Sequence, residues 1–130
     1  MRILVFEDDP MMIKFLEVVL RREGHEVRFF TDPTCCESLA SPTCSCARTQ
    51  PCADALLTDI RMPNMSGLEL LELQQRRGCK GSMRNKAAMS ASWSAEDRRR
   101  AKALGCTLFE KPFSRDELLV WLRQCTDAAA

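Results

Sequence analysis

Five short apolar runs recur along the chain, and each is followed by a stretch with helical spacing or helix-start chemistry. The runs are Arg2 to Phe6, Glu26 to Phe30, Ala55 to Thr58, Lys86 to Met89 and Thr107 to Phe109. Strands that alternate with helices cannot pair as hairpins. They pair in parallel, with each helix crossing over a face of the sheet. The helices have readable ends. Pro10 to Glu23 begins at the cap Asp9, carries Pro10 at its first position and stops at Gly24, with Ile13, Leu16, Val19 and Leu20 as its core stripe. A short helix is expected over Pro33 to Leu39. Ser66 with Glu69 forms a capping box for a helix from Gly67 to about Arg77, and Gly78 stops it. Ser94 caps a fourth helix that ends at Leu104 before Gly105. Ser114 with Glu117 opens the last, whose stripe is Leu118, Trp121, Leu122 and Cys125. The expectation is one doubly wound domain over residues 1–126, with five strands, five helices and a short tail at 127–130.

Chemistry-bearing residues stand where these strands end. The first strand runs into Glu7, Asp8 and Asp9, the third into Asp59, the fourth into Ser90, and the fifth reaches Lys111 followed by Pro112 and Phe113. In an open parallel sheet the carboxyl ends of the strands converge on one crevice. Carboxylates crowded there repel one another and call for a divalent cation. Oxygen ligands suit a hard ion such as Mg²⁺. A carboxylate beside such an ion can attack a phosphoryl group, and a lysine and a hydroxyl can meet the charge that results.

The balance of the chain is ordinary. A net charge of +1 gives no general pull toward nucleic acid, and no apolar stretch approaches the roughly 20 residues of a membrane span. The chain starts directly in a strand with no signal peptide, so a cytoplasmic protein is expected. Eight cysteines are then thiols or metal ligands before they are disulfides. Cys35, Cys106 and Cys125 fall in apolar patterns and read as small core residues. Cys36 has no assignment.

The segments "ILVFEDDP", "LLTDIRMPNMSGLELL", "AAMSAS" and "FEKPF" stand in the order and near the spacings of the receiver domains of two-component response regulators, and the chain resembles that family over nearly its full length. The resemblance implies a flavodoxin-like sheet of order 2-1-3-4-5. It implies a phosphoacceptor at Asp59 and a Mg²⁺ site made by Asp8, Asp59 and the backbone carbonyl of Arg61, with Glu7 acting through a metal-bound water. Ser90 and Lys111 match the switch hydroxyl and the active-site lysine, and the Lys111–Pro112 bond would be cis. Asp9, one place beyond the usual acidic pair, reads as the helix cap. The implied partner is a sensor histidine kinase or a phosphotransfer protein. The domain would be a switch and not a classical enzyme, with at most slow self-dephosphorylation. A homodimer would form through the fourth and fifth strands and the helices that follow them.

Two features depart from the family. Its usual aromatic stands three residues before the lysine, a place held here by Leu108, with Phe109 beside it. A strand of period two turns only one of them toward the switch. The segment before the third strand is long and carries Cys44, Cys46 and Cys52, and the sheet order would bring Cys79 beside it. Four thiols in adjacent loops are either a structural Zn²⁺ site or free thiols and disulfides. A cysteine-rich metal- or redox-sensing module on a receiver-like fold is the alternative function. An aspartate-nucleophile phosphatase is disfavoured, because no D-x-D follows the first strand.

Overall fold

The alternating pattern closes into one five-stranded parallel sheet of order β2-β1-β3-β4-β5. The computed structural model describes residues 1–31, 53–79 and 81–129. Its elements are β1 (Arg2–Phe6), α1 (Pro10–Arg22), β2 (Glu26–Phe30), β3 (Ala55–Asp59), α2 (Gly67–Arg76), a 3₁₀ turn (Met83–Asn85), β4 (Lys86–Ser90), α3 (Ala95–Leu104), β5 (Thr107–Glu110) and α4 (Arg115–Ala129). The short helix expected over Pro33 to Leu39 lies outside the described residues, as do Cys35, Cys36, Cys44, Cys46 and Cys52.

Period-two alternation in the strands sorts the core into two layers. Ile3 and Val5 of β1 pack with Leu16, Val19 and Leu20 of α1 and with Leu118, Trp121 and Leu122 of α4. Leu4 and Phe6, one residue out of phase, pack with Leu68, Leu70 and Leu71 of α2 and with Ala101 and Leu104 of α3. Cys125 is buried in the first layer, and Cys106 packs against the second. Both behave as the small apolar residues that their sequence context implies.

The helix starts follow the capping chemistry. Asp9 Oδ1 accepts from the Met11 N–H at 3.0 Å, and Ser66 Oγ accepts from Glu69 N–H at 3.1 Å. At α4 the exchange is reciprocal: Ser114 Oγ accepts from Glu117 N–H at 3.1 Å, and Glu117 Oε2 accepts from Ser114 N–H at 2.8 Å. The last three strands each run one residue beyond their apolar runs, to Asp59, Ser90 and Glu110. Backbone pairing explains this. The Ile60 N–H donates to Met89 O and the Lys111 N–H to Ser90 O, each at 2.9 Å, so the ladder outlasts the hydrophobic pattern.

Candidate functional site: a carboxylate cluster at the strand ends

The parallel sheet brings the carboxyl ends of β1 and β3 side by side, because Phe6 pairs with Thr58. The next residue of each strand is therefore acidic. Glu7 is fully buried and Asp59 is 7% exposed, whereas Asp8 is open to solvent. A carboxylate oxygen from each of Glu7, Asp8 and Asp59 lies within 4.8 Å of the others. Lys111, just beyond β5, reaches across the mouth of the sheet. Its Nζ donates to Glu7 Oε2 at 2.7 Å and stands 3.5 Å from Asp59 Oδ1. The other Glu7 oxygen accepts from Asp9 N–H at 3.1 Å.

One ammonium faces three carboxyl groups, and burial aggravates the imbalance. The Glu7 carboxyl is raised above its ordinary value, first by burial and then by the Asp59 charge, against the pull of its Lys111 hydrogen bond. Asp59 is also raised by burial and by Asp8, while Lys111 and the Arg61 backbone N–H hold it down. The site lacks positive charge. Its donors are hard carboxylate oxygens, which fit a divalent cation of the Mg²⁺ kind. Among the described residues no other group of three potential metal ligands comes together.

The loop behind Asp59 is held tightly. Gly67 N–H donates to Ile60 O at 2.9 Å, and Thr58 Oγ1 donates to Asp59 O at 2.9 Å. A Cβ on Gly67 would stand 2.1 Å from Asp59 O and 2.8 Å from Thr58 Oγ1, so only glycine lets α2 start against this strand end. The sequence reading missed this close approach; a glycine directly after a cap serine was its only trace.

Ser90 is buried at the end of β4, in the residue pair Ser90–Glu110. Its hydroxyl is engaged within its own loop: Oγ donates to Ser92 O at 3.2 Å and accepts from Ser92 N–H at 3.1 Å. Arg61 also donates to Ser92 O, at 3.4 Å. The ambiguity in β5 is resolved by register. Leu108 pairs with Ala88 and lies on the Ser90 side, while Phe109 packs in the opposite layer, 4.8 Å from Phe113 and 5.9 Å from Trp121 between ring centroids. Near Leu108 the aromatic comes from another element. Trp93 packs against the second layer and its indole N–H donates to Phe109 O at 2.9 Å. The Lys111–Pro112 peptide is cis.

Three of the four thiols considered for zinc lie outside the described residues. The fourth, Cys79, has its Sγ 3.4 Å from the Lys86 ammonium.

Clustered carboxylates and one lysine at the mouth of a 2-1-3-4-5 parallel sheet define the flavodoxin-like receiver fold. Residues 3–123 match the family described as response regulator receiver domain, and the chain belongs to that family. It is similar to the receiver domain protein (CheY-like) of Methanospirillum hungatei, with 27% identity and a TM-score of 0.74 over 98% of this chain and 94% of that one. It is also similar to the receiver domain of the sensor histidine kinase PA1611 of Pseudomonas aeruginosa, whose structure holds a magnesium ion in the active-site cleft. That match has 26% identity and a TM-score of 0.69 over 96% of this chain and 97% of that one. The rice two-component response regulator ORR26 is 37% identical over 73 residues, covering 55% of this chain and 11% of the regulator. The chain thus spans only about a tenth of the length of the curated relatives it matches. No helix among the described residues is long and apolar enough to cross a membrane.

Proposed function

We propose that this receiver domain accepts a phosphoryl group on Asp59 from a sensor histidine kinase or a phosphotransfer protein, and that Ser90 and Lys111 convert the modification into a change of surface. The observation that carries the reading is the meeting of Glu7, Asp8 and Asp59 carboxylates beside the Lys111 ammonium. Asp8 and Asp59, with the Arg61 backbone carbonyl, would hold Mg²⁺. Glu7 would act through a water, since both its oxygens already accept hydrogen bonds. The ion supplies positive charge against the oxygens of the transferring phosphoryl group.

The chain's own residues do the rest. Asp59 is fixed on a strand end, so its carboxylate is held for attack instead of being gathered from a loop. Lys111 stands close enough to Asp59 to pair with a phosphoryl oxygen in place of a carboxylate one. Ser90 must give up the hydrogen bond it donates to Ser92 O before its hydroxyl can donate to the new group. That exchange would move the loop carrying Trp93, whose indole is tied to β5. Phosphorylation adds charge and acceptor oxygens, and the response is a local rearrangement of donors around them.

Acetyl phosphate with Mg²⁺ should add one phosphoryl group to the chain, read by intact mass, and add none to Asp59→Asn. Equal modification of the two proteins would overturn the assignment.

A further inference from the structure

At the end of the sheet opposite Asp59, a lysine is buried at the start of a strand. Lys86 is the first residue of β4 and is 4% exposed. Among the described residues no carboxylate pairs with it. Its Nζ donates instead to Gln74 Oε1 at 2.8 Å and to Cys79 Sγ at 3.4 Å. The thiol is held there by its backbone, because Cys79 N–H donates to Gln74 O at 2.9 Å. Gly81 closes over the pair: a Cβ there would lie 3.3 Å from Lys86 Cε and 3.6 Å from Cys79 Sγ, and glycine leaves that space open. Leu4, Asp54, Gln74, Cys79, Asn85 and Lys86 are among the residues that line one cleft at this edge. Asn85 is buried, and among the described residues its Oδ1 has no hydrogen-bond partner.

We propose that Cys79 and Lys86 form a peroxide-sensitive modification site, in which oxidised Cys79 is captured by the Lys86 amine as an intrachain sulfenamide. Hydrogen peroxide transfers one oxygen to the Cys79 thiol, giving a sulfenic acid and one water. The Lys86 nitrogen then displaces the hydroxyl from sulfur. The S–N bond forms as the S–O bond breaks, and the ammonium gives up two protons, one leaving with the hydroxyl as water and one to solvent. Sulfur is oxidised by two electrons and the peroxide is reduced. A thiol reductant reverses the step. The link would tie the loop after α2 to the start of β4 and remove a buried positive charge.

Among the described thiols, exposure also favours Cys79. Burial pushes the Cys106 and Cys125 thiols up to about 11, which keeps both protonated at neutral pH, and the thiolate is the form that peroxides attack. Cys79 is half-exposed, within reach of a small oxidant. The site does not depend on phosphorylation of Asp59.

The test treats the reduced full chain with hydrogen peroxide and maps it with trypsin. The expected product is a peptide containing Cys79 joined to one containing Lys86, two hydrogens lighter than their sum, uncut after Lys86 and released by a thiol reductant. Lys86→Leu, with folding checked by its melting curve, should lose the link and instead yield a dimedone adduct at Cys79. Three outcomes overturn the proposal: a free Cys79 thiol after treatment, Cys79 in a disulfide, or the same dimedone adduct in wild type and Lys86→Leu. The wild-type map decides the matter even if the variant does not fold.

Discussion

Replacing Gly67 by alanine should damage the fold out of proportion to the one methyl group it adds. The added Cβ would stand 2.1 Å from Asp59 O and 2.9 Å from Asp59 C, both backbone atoms of a central strand that cannot swing aside. To bring the 2.1 Å approach out to ordinary contact at 3.4 Å, the start of α2 must retreat by about 1.3 Å, which strains the Gly67 N–H bond to Ile60 O and the seating of Leu68, Leu70 and Leu71. Overpacking of this kind costs about 3 kcal/mol, toward the upper end of its usual range. For a domain of this size that is a fall of roughly 10 °C in Tm. Gly78→Ala is the matched control. Gly78 has φ +71° but nothing within 4 Å of its would-be Cβ, so its penalty is the left-handed backbone alone, about 1 kcal/mol. Urea unfolding of the two variants and the wild type reads the difference as a shift in midpoint. The reasoning is refuted if Gly67→Ala is no less stable than Gly78→Ala.

Other consequences concern the charges. Glu7 and Asp59 both titrate above their ordinary values of 4.5 and 3.8, so the folded chain binds protons that the unfolded chain releases. Their penalty is absent below those ordinary values and grows as pH rises toward the raised folded ones, each tenfold gain in proton affinity being worth about 1.4 kcal/mol. Without metal, Asp59→Asn should therefore be more stable than wild type at pH 7, and urea curves at pH 3, below the ordinary aspartate value, should show that advantage gone; Mg²⁺ should stabilise only the wild type. Lys111→Met leaves the fully buried Glu7 without its cation and should cost about 3 kcal/mol at neutral pH, less at pH 5 where Glu7 can take a proton. Thermal melts at the two pH values check it, and an equal loss at both would contradict the charge argument. Ser90→Ala should still bind beryllofluoride with Mg²⁺ but show smaller NMR shift changes over residues 90–112 than wild type; undiminished changes would remove Ser90 from the switch.

Most of the fold was legible because the sequence carries two periods that do not overlap. Val5 and Phe6 belong to opposite layers by strand alternation, and Leu16, Val19 and Leu20 to one stripe by helical spacing. Caps at Asp9, Ser66, Ser94 and Ser114 set the helix starts, since each supplies an acceptor for an otherwise unpaired N–H. The acidic cluster was legible for a topological reason: parallel strands end on one edge, so residues after each apolar run must gather there. What stayed hidden depends on register and close approach. A shift of one residue decides whether Leu108 or Phe109 faces Ser90, and the composition of β5 is compatible with both. The engagement of Ser90 with Ser92, the indole bond from Trp93 and the Lys86–Gln74–Cys79 contacts are side-chain choices made after packing. Lys86 opens the fourth apolar run with a charge, and it is among the buried residues.

The central claim is that one carboxylate among three, Asp59, becomes an acyl phosphate. Borohydride reduction tests it directly, because it converts an aspartyl phosphate to homoserine and leaves free carboxylates alone. After acetyl phosphate and Mg²⁺, peptide mapping should find homoserine at position 59 and aspartate at position 8, and chelating the metal beforehand should abolish the product. Homoserine at position 8, or a yield at position 59 that does not depend on Mg²⁺, would contradict the account.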